Sequence, residues 1–285
     1  MNNFKIKECL QQFFNEDFGD GDLTSETIFH PHDMTSGTYT VKSPGVISGI
    51  EILKEGYGLM GEGITFEAYV KDGDPVSAGE DIFFVKGPVQ KLLSAERVLL
   101  NLLQRMSGIA TITDGAVRRL NSNTTKICDT RKTTPGLRMF EKYAVTCGGG
   151  FNHRRGLYDS VMIKDNHIAH AGSITLAVDR ARSQLGHTVK IEVETTGADE
   201  VIEAVQAGAD IIMFDNCGPE DIKELIKLVP DSIITEASGG INLATIGDYG
   251  STGVDYISLG CLTHSFTAMD ISFNIGKVLT GPALH

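Results

Sequence analysis

The pattern of apolar and polar positions changes twice along the chain, and each part predicts its own kinds of elements. Near the start, apolar residues at helical spacing predict a helix over 4–14. Short alternating runs over 37–43 and 64–70 predict strands, with turn residues between them. The first third of the chain is therefore expected to form a mixed α+β unit.

Two further runs in this part, 70–76 and 79–85, predict a pair of strands joined by turn residues. They resemble the half-barrel hairpins of biotinyl and lipoyl carrier domains. Those carriers present a modifiable lysine at a tight hairpin tip, and the chain lacks the Met-Lys-Met and Asp-Lys-Ala triplets that mark such a tip. We therefore interpret the hairpin as structural.

From Ser94 onward, apolar residues recur at i, i+3 and i+4, which predicts an amphipathic helix. Its apolar stripe consists of Val98, Leu99, Leu102, Leu103 and Met106, and its polar side of Arg97, Asn101, Gln104 and Arg105. Ser94 with Arg97 three residues later is not a capping box, so the pattern locates the helix but leaves its first residue open.

After residue 125, short β-branched runs alternate with helical segments, which is typical of a parallel sheet built from βα units. The predicted strands are 126–129, 160–164, 189–194, 210–215, 232–236 and 254–259. The predicted helices are 174–184, 199–207, 219–228 and 243–249. No Gly-x-Gly-x-x-Gly fingerprint follows any of these strands and no Walker-type loop is present, so the alternation favours an α/β barrel.

Each predicted strand ends in polar residues or glycine, and in α/β barrels these ends meet at one mouth. The clusters are Asp129-Thr130-Arg131-Lys132, Lys164-Asp165-Asn166-His167, Glu194-Thr195-Thr196, Asp215-Asn216, Glu236-Ala237-Ser238-Gly239-Gly240 and the segment from Gly260 to His264. Taken singly, Asp215 or Asn216 would more often be a helix cap than a ligand. Lys164 and Glu194 end apolar runs, where an unpaired charge is costly, so each is expected to have a partner or an ionic ligand.

The glycine clusters point to phosphate binding. Ser238-Gly239-Gly240 follows one strand and Gly260 follows the next, near the end of the barrel, where barrels commonly bind phosphate through backbone N–H groups. Glycine lets the backbone approach an oxyanion closely. A Gly-Gly pair alone is more often only a turn, and both interpretations stay open at this point.

Composition and charge argue against several classes of protein. The 285 residues include 41% hydrophobic and 22% charged residues, as in ordinary globular proteins, and the net charge of −12 argues against nucleic-acid binding. No run approaches the roughly 20 apolar residues of a membrane span and no signal-peptide pattern is present, so a cytoplasmic protein without a membrane partner is expected. Five scattered cysteines without Cys-x-x-Cys spacing predict free thiols rather than a disulfide frame or a zinc site.

Against this acidic background, the segment 131–164 forms a cationic island. Its basic residues are Arg131, Lys132, Arg138, Lys142, Arg154, Arg155 and Lys164, and its only acids are Glu141 and Asp159. Such an island in an acidic protein is expected to bind an anionic small molecule, although on charge alone a solvated basic face is the commoner explanation.

These residues resemble the quinolinate phosphoribosyltransferase family over nearly the whole chain. The matching segments are 16–24 (EDFGDGDLT), 95–97 (AER), 100–101 (LN), 107–111 (SGIAT), 129–136 (DTRKTTPG), 148–150 (GGG), 152–154 (NHR), 163–167 (IKDNH), 192–194 (EVE) and 236–241 (EASGGI). A paralogue encoded with molybdate transport is similar in its Asp-Thr-Arg-Lys and glycine segments but typically lacks the Lys-Asp-Asn-His block, which is intact here at 164–167.

The resemblance implies an α/β protein with two parts. An N-terminal α/β sandwich over 1–108 is joined by the C-terminal tail 271–285, and an open α/β barrel of about seven strands over 109–270 is the catalytic domain. It also implies a head-to-tail homodimer, or a higher oligomer of such dimers, in which Arg97 of one subunit reaches the pocket of the other.

The resemblance further implies the roles of the site residues. Quinolinate would be bound by Arg97, Arg131, His153, Arg154 and Lys164. Phosphoribosyl pyrophosphate would be bound by Lys132, Glu194, Asp215, Ser238, Gly239, Gly240, Gly260 and His264. The catalytic residues would be Lys132, Lys164, Glu194 and Asp215, and the last two would hold ribose hydroxyls or substrate-bound Mg²⁺. No organic cofactor is expected.

The implied reaction joins phosphoribosyl to quinolinate with decarboxylation, giving nicotinate mononucleotide, pyrophosphate and CO₂ in NAD biosynthesis. Two alternatives remain open. One is a related phosphoribosyltransferase for nicotinate or another aromatic acid, and the other is a noncatalytic regulator that binds phosphorylated metabolites in a retained pocket.

Overall fold

The structure is a computed structural model in which residues 1–276 are described, and it divides into two compact units. Unit 1 comprises 1–112, 139–148 and the described residues from 266 onward, and unit 2 comprises 113–138 and 149–265. Of the tail that the resemblance joins to the N-terminal part, residues 277–285 lie outside the described residues.

In chain order the helices are α1 (Asn3–Phe18), α2 (Leu23–Ile28), α3 (Ile50–Leu59), α4 (Val89–Leu120), α5 (Arg138–Cys147), α6 (Asp165–Ala171), α7 (Ile174–Arg182), α8 (Ala198–Gln206), α9 (Pro219–Leu225), α10 (Ile246–Tyr249) and α11 (Cys261–His264). The strands are β1 (Met34–Val41), β2 (Gly45–Val46), β3 (Thr65–Ala68), β4 (Pro75–Val76), β5 (Asp81–Pro88), β6 (Lys126–Cys128), β7 (Val161–Ile163), β8 (Ile191–Thr195), β9 (Ile211–Asp215), β10 (Ile234–Ser238), β11 (Tyr256–Ser258) and β12 (Ile271–Ile275). Among the described helices, none is both long enough and apolar enough to cross a membrane.

The main sheet of unit 1 is antiparallel, with the strand order β12-β1-β5-β3. β12 lies in the C-terminal tail and pairs along β1, with Gly37 opposite Ile275. The core of this unit contains the fully buried rings of Tyr39, Tyr57 and Phe83, which contact one another. The described part of the tail is thus an edge strand of the N-terminal sheet.

The hairpin predicted over 70–76 and 79–85 is wrong, because its two halves pair with other strands. β4 pairs with β2, whereas β5 pairs with β1 and β3. The Asp72 carboxylate, in the first half, accepts hydrogen bonds from the backbone N–H groups of Gly49 and Ile50, both at 2.8 Å, at the start of α3. Unpaired N–H groups at a helix N-terminus stabilise a carboxylate, so this distant contact outweighs local hairpin pairing.

The helix predicted from Ser94 is confirmed as part of α4, which begins earlier, at Val89. Pro88, which directly precedes it, is the last residue of β5 and lies opposite Met34 of β1, so the helix begins where the strand ends. A Cβ at Gly56 of α3 would come within 2.3 Å of the Leu99 side chain of α4. Glycine at this position therefore lets the two helices pack closely.

Unit 2 contains a parallel sheet with the strand order β6-β11-β10-β9-β8-β7. The six predicted strands are all confirmed, with ends within two residues of the predicted ones. A single parallel bridge between Phe151 and Cys128, beside β6, occupies the position of a seventh strand. Cys128 Sγ lies 3.9 Å from Glu236 Oε2 of β10, two strands away, so the sheet curls as a barrel does.

The sequence pattern does not reveal α6, and its structure explains why. None of its residues is buried, so it has no apolar stripe that periodicity could detect. Local bonds define its ends instead: the Lys164 N–H donates to His167 Nδ1 at 2.9 Å, and Gly172, with φ of 105°, ends the helix. Glycine adopts this left-handed conformation without strain.

Candidate active site

A cavity of about 450 Å³ lies at the carboxyl-terminal ends of the strands of unit 2, where α/β barrels place catalytic groups. Its lining residues are Thr130, Arg131, Lys132, His153, Arg154, Met162, Lys164, Glu194, Met213, Asp215, Asn216, Ser238, Gly239, Gly240 and Ser258. Four of these side chains are lysine or arginine and two are carboxylates. The excess of positive charge suits the cavity for an anionic ligand.

The loop after β6 presents Lys132 to the cavity. The Lys132 N–H donates to Thr130 Oγ1 at 3.0 Å, and its carbonyl accepts from Thr263 Oγ1 at 2.8 Å. Both backbone groups of Lys132 are therefore fixed by side-chain hydroxyls, and the loop determines where its ammonium group can reach.

Lys164 and Glu194, each expected to have a partner, are paired with each other. Lys164 Nζ lies 2.8 Å from Glu194 Oε2, across the neighbouring strands β7 and β8. The two side chains are 43% and 15% exposed, so water weakens the pair, and exposed pairs of this kind contribute only about 1 kcal/mol or less. A polyanionic ligand can therefore compete for Lys164.

The backbone that carries His153 is held in place by Asp129, which follows β6 and is fully buried. The Asp129 carboxylate accepts from Asn152 Nδ2 at 2.6 Å and from the His153 N–H at 2.9 Å. Burial lowers the pKa of the Arg154 guanidinium, and the nearby charge of Arg131 lowers it further. Since two guanidinium groups repel each other here, this wall favours binding of a carboxylate or phosphate between them.

At Gly239 and Gly260 the absence of a side chain lets the backbone lie close to neighbouring groups. Gly239 has φ of 85°, and a Cβ there would come within 2.4 Å of Asn216 Oδ1. A Cβ at Gly260 would lie 3.0 Å from Lys132 Cδ and 2.9 Å from His264 Nε2. Gly260 and His264 therefore adjoin Lys132, although neither is among the residues that line the cavity.

The structure brings together most of the residues predicted for the site. Those that line the cavity are Arg131, Lys132, His153, Arg154, Lys164, Glu194, Asp215, Ser238, Gly239 and Gly240. Arg97 lies on α4 in unit 1, where its side chain is 60% exposed. Its predicted role is in the pocket of a second subunit.

Five lining residues were not predicted as ligands, namely Thr130, Met162, Met213, Asn216 and Ser258. Met162 and Met213 are apolar strand residues, and nothing in their local pattern separates a cavity wall from a core. Asn216 had a detectable signal in the sequence, because it follows Asp215 at a strand end. In the structure its φ is 55°, a conformation in which asparagine is enriched.

The cationic island divides between different environments. Arg131, Lys132, Arg154 and Lys164 line the cavity. Arg138 instead supports the loop, since its guanidinium donates to Thr133 Oγ1 at 2.9 Å and to the Arg155 carbonyl at 3.1 Å, and Lys142 is buried in unit 1. The prediction of a ligand site therefore concerns only the part of the island that lines the cavity.

A buried cluster of His153, Glu192 and Glu236 lies next to the cavity, with His153 in its wall. His153 Nε2 lies 3.1 Å from Glu192 Oε2 and 3.5 Å from Glu236 Oε2. His153 Nδ1 accepts from the Arg154 N–H at 2.7 Å, which leaves the ring proton on Nε2, facing the two carboxyl groups. This tautomer makes Nε2 a donor and argues against metal binding there.

The surroundings of Glu236 favour the protonated, neutral form of its carboxyl group. Burial raises its pKa, Glu192 raises it further and His153 opposes the shift, which gives a pKa of about 7 against an ordinary 4.5. A raised pKa in the folded state means that Glu236 contributes stability fully below pH 4.5 and loses that contribution as pH rises through 7.

Glu236→Gln is therefore expected to remove this pH-dependent loss of stability. As pH rises from 5 to 8, a window that spans most of the pKa change, the melting temperature of the variant should rise relative to that of the wild type. Thermal melts at several pH values measure it, with the exposed Glu220→Gln as the matched control. A difference that does not change with pH would contradict the raised pKa.

Comparison with known proteins agrees with this geometry. A sequence model described as "Quinolinate phosphoribosyl transferase, N-terminal domain" matches residues 22–107, and one described as "Quinolinate phosphoribosyl transferase, C-terminal domain" matches residues 109–274. Among curated proteins, the "Probable nicotinate-nucleotide pyrophosphorylase [carboxylating]" of Bacillus subtilis is 53% identical over 96% of this chain and 95% of its own length.

A plant protein, "Quinolinate phosphoribosyltransferase [decarboxylating] 2, mitochondrial" of Nicotiana glauca, is 40% identical over 97% of this chain and 84% of its own. The crystal structure of NadC from Streptococcus pyogenes superposes with a TM-score of 0.93 at 39% identity, covering 97% of this chain and 98% of that one. Sequence, fold and the charged cavity agree, and the chain belongs to the quinolinate phosphoribosyltransferase family.

Proposed function

We propose that this chain transfers phosphoribosyl from phosphoribosyl pyrophosphate to quinolinate with loss of CO₂, giving nicotinate mononucleotide and pyrophosphate in NAD biosynthesis. The observation that supports it best is one cavity that combines two repelling guanidinium groups, two lysines and two carboxylates with a glycine-rich backbone. A dicarboxylate needs the guanidinium groups, a pyrophosphate and a phosphate need the lysines and the glycine backbone, and a cation-like transition state needs the carboxylates.

Quinolinate would bind at the guanidinium side of the cavity. Its two adjacent carboxylates match Arg131 and Arg154, because a guanidinium fork binds a carboxylate through two parallel hydrogen bonds. Lys164 would add a third cation once its pair with Glu194 is loosened by the ligand. His153 would complete this wall, held by the buried Asp129.

Phosphoribosyl pyrophosphate would bind at the lysine and glycine side. Lys132 and Lys164 would bind the pyrophosphate, while Ser238, the glycines after β10 and the neighbouring Gly260 and His264 would surround the 5′-phosphate. The anomeric carbon becomes positively charged as pyrophosphate leaves. Glu194 and Asp215 would stabilise that charge and the ribose hydroxyls.

Mg²⁺ fits the donor set of the cavity. It is typically held by one or two carboxylates, water and substrate phosphates, and Glu194 and Asp215 supply the carboxylates. When bound, the ion would neutralise charge on the leaving pyrophosphate. No organic cofactor is needed, because the ring nitrogen becomes cationic on receiving the ribose and can itself stabilise the carbanion that remains after CO₂ is lost, until a proton from water replaces the carboxylate.

Two further properties belong to the proposal. The active unit would be a homodimer, or an oligomer of dimers, to which the exposed Arg97 of one subunit contributes a donor for the other subunit's quinolinate. The protein would act in the cytoplasm without a nucleic-acid or membrane partner, in keeping with its net charge of −12.

A turnover assay tests the proposal directly. With quinolinate, phosphoribosyl pyrophosphate and Mg²⁺, the purified protein is expected to form nicotinate mononucleotide and to release CO₂ and pyrophosphate in equal amounts. Nicotinate in place of quinolinate is expected to give far less product, because one of the two carboxylates is missing. Preference for nicotinate would favour the related transferase, and absence of pyrophosphate release with every aromatic acid would favour the noncatalytic regulator.

A further inference from the structure

Ser258, the last residue of β11, lies in the cavity wall beside a predicted ligand. Its Oγ donates a hydrogen bond to Ser238 Oγ at 2.9 Å, from one strand of the sheet to the next. Ser258 is only 4% exposed, and both residues line the same cavity. The pair is therefore a shielded contact within the wall rather than a surface contact.

This contact restricts the Ser238 hydroxyl. A serine hydroxyl has one proton to donate and two lone pairs that accept. Because the Ser258 proton occupies one lone pair of Ser238, the proton of Ser238 must point to some other acceptor. Ser238 precedes Gly239 and Gly240, whose backbone turns with φ of 85° and 68° around the same end of the cavity. An acceptor oxygen at that end would receive the Ser238 proton.

The buried Glu236, which is 4% exposed, lies on the interior side of Ser258. Burial and Glu192 raise the pKa of the Glu236 carboxyl, and the Ser258 hydroxyl opposes that shift. Glu236 and Ser238 both belong to β10, two residues apart, so their side chains leave the strand on the same face. Glu236, Ser258 and Ser238 are therefore neighbouring polar residues between the interior and the cavity.

We propose that Ser258 is a positioning residue, which orients the Ser238 hydroxyl as a donor to the 5′-phosphate of the ribosyl substrate. The inference rests on the proposed function, which assigns Ser238 to that phosphate. Hydrogen bonds in a chain strengthen one another, and a bond to an anion is stronger than one between neutral groups, so the effect of Ser258 should appear in binding of the phosphate.

Ser258→Ala tests the role, with ribose 5-phosphate as the binding probe. Calorimetry is expected to show ribose 5-phosphate binding weakened about three- to tenfold, the effect of one hydrogen bond, while quinolinate binding stays within about twofold of wild type. In steady state, KM for phosphoribosyl pyrophosphate should rise by a similar factor with KM for quinolinate unchanged. Ser258→Thr, which keeps a hydroxyl, should restore most of the affinity.

A matched control separates positioning from folding. Thr235→Val removes a buried hydroxyl of the neighbouring strand β10, one that donates to Asp255 Oδ2 at 2.9 Å at the end of β10 opposite Ser238. It is expected to lower the melting temperature without changing ribose 5-phosphate affinity. If Ser258→Ala behaves like this control, or weakens the binding of ribose 5-phosphate and of quinolinate equally, the positioning role is overturned.

The proposed function has its own readout. Turnover by the unmodified chain decides whether it is a quinolinate phosphoribosyltransferase, whereas the ratio of ribose 5-phosphate affinities decides the role of Ser258. An active enzyme with an unchanged ratio overturns the role of Ser258 alone. An inactive chain whose ribose 5-phosphate binding still depends on Ser258 overturns the reaction and supports the orientation of Ser238.

Discussion

Replacing Lys132 by alanine is expected to lower kcat about 10²- to 10³-fold while the protein stays folded. The ammonium group lines the cavity and would meet the pyrophosphate, whose negative charge grows as its bond to ribose breaks. An interaction that strengthens in the transition state affects kcat as well as kcat/KM. The backbone bonds of Lys132 to Thr130 and Thr263 do not involve its side chain, so the loop should keep its shape.

Initial rates of nucleotide formation and a thermal melt measure the two parts of this prediction. Lys223→Ala is a suitable control, because Lys223 is a partly exposed residue of the same unit that pairs locally with Glu220, and it should have near-normal rates. Near-normal nucleotide formation by Lys132→Ala would refute its place at the pyrophosphate. A large drop in melting temperature would instead show that the lysine supports the fold.

Mixing two inactive variants is expected to restore activity if Arg97 acts in the neighbouring subunit. In a hybrid dimer of Arg97→Ala and Lys132→Ala chains, one site combines the intact Lys132 of one subunit with the intact Arg97 of the other. Random exchange makes half of the dimers hybrid, and each hybrid has one complete site, so about a quarter of the wild-type activity should return.

The control for this experiment verifies that subunits exchange between dimers, which chains carrying two different tags would reveal. Each variant alone should remain inactive after the same treatment. Activity that stays absent after verified exchange would exclude the composite site. Restored activity would also establish a dimer as the smallest active form, since neither single chain contains a complete set of groups.

The strands and helices of unit 2 could be predicted because the sequence pattern that marks each of them lies within that strand or helix. Each strand is a short β-branched run bounded by polar residues or glycine, and the helices between them have their own periodicity, so all six strands were found within two residues of their observed ends. The hairpin over 70–76 and 79–85 failed for the opposite reason. Asp72 binds the start of α3, far away in sequence, and no local pattern reports such a contact.

The site was predictable in part for the same reason. Charged residues at the ends of apolar strands, such as Lys164 and Glu194, are visible in the sequence, and the rule that strand ends meet brings them together. Met162 and Met213 were missed because an apolar strand residue looks the same whether it lines a cavity or a core. Resemblance to a family supplied the roles of the residues, which charge and spacing alone left open.

The sequence by itself determined that this protein has a parallel sheet with charged and glycine-rich strand ends, because propensity and periodicity are properties of neighbouring residues. Only the tertiary structure decided that Lys164 pairs with Glu194, that His153 faces Glu192 and Glu236, and that Ser258 donates to Ser238. These contacts join residues 20 or more positions apart. They depend on strand order, register and curvature of the sheet, which place side chains of different strands against one another.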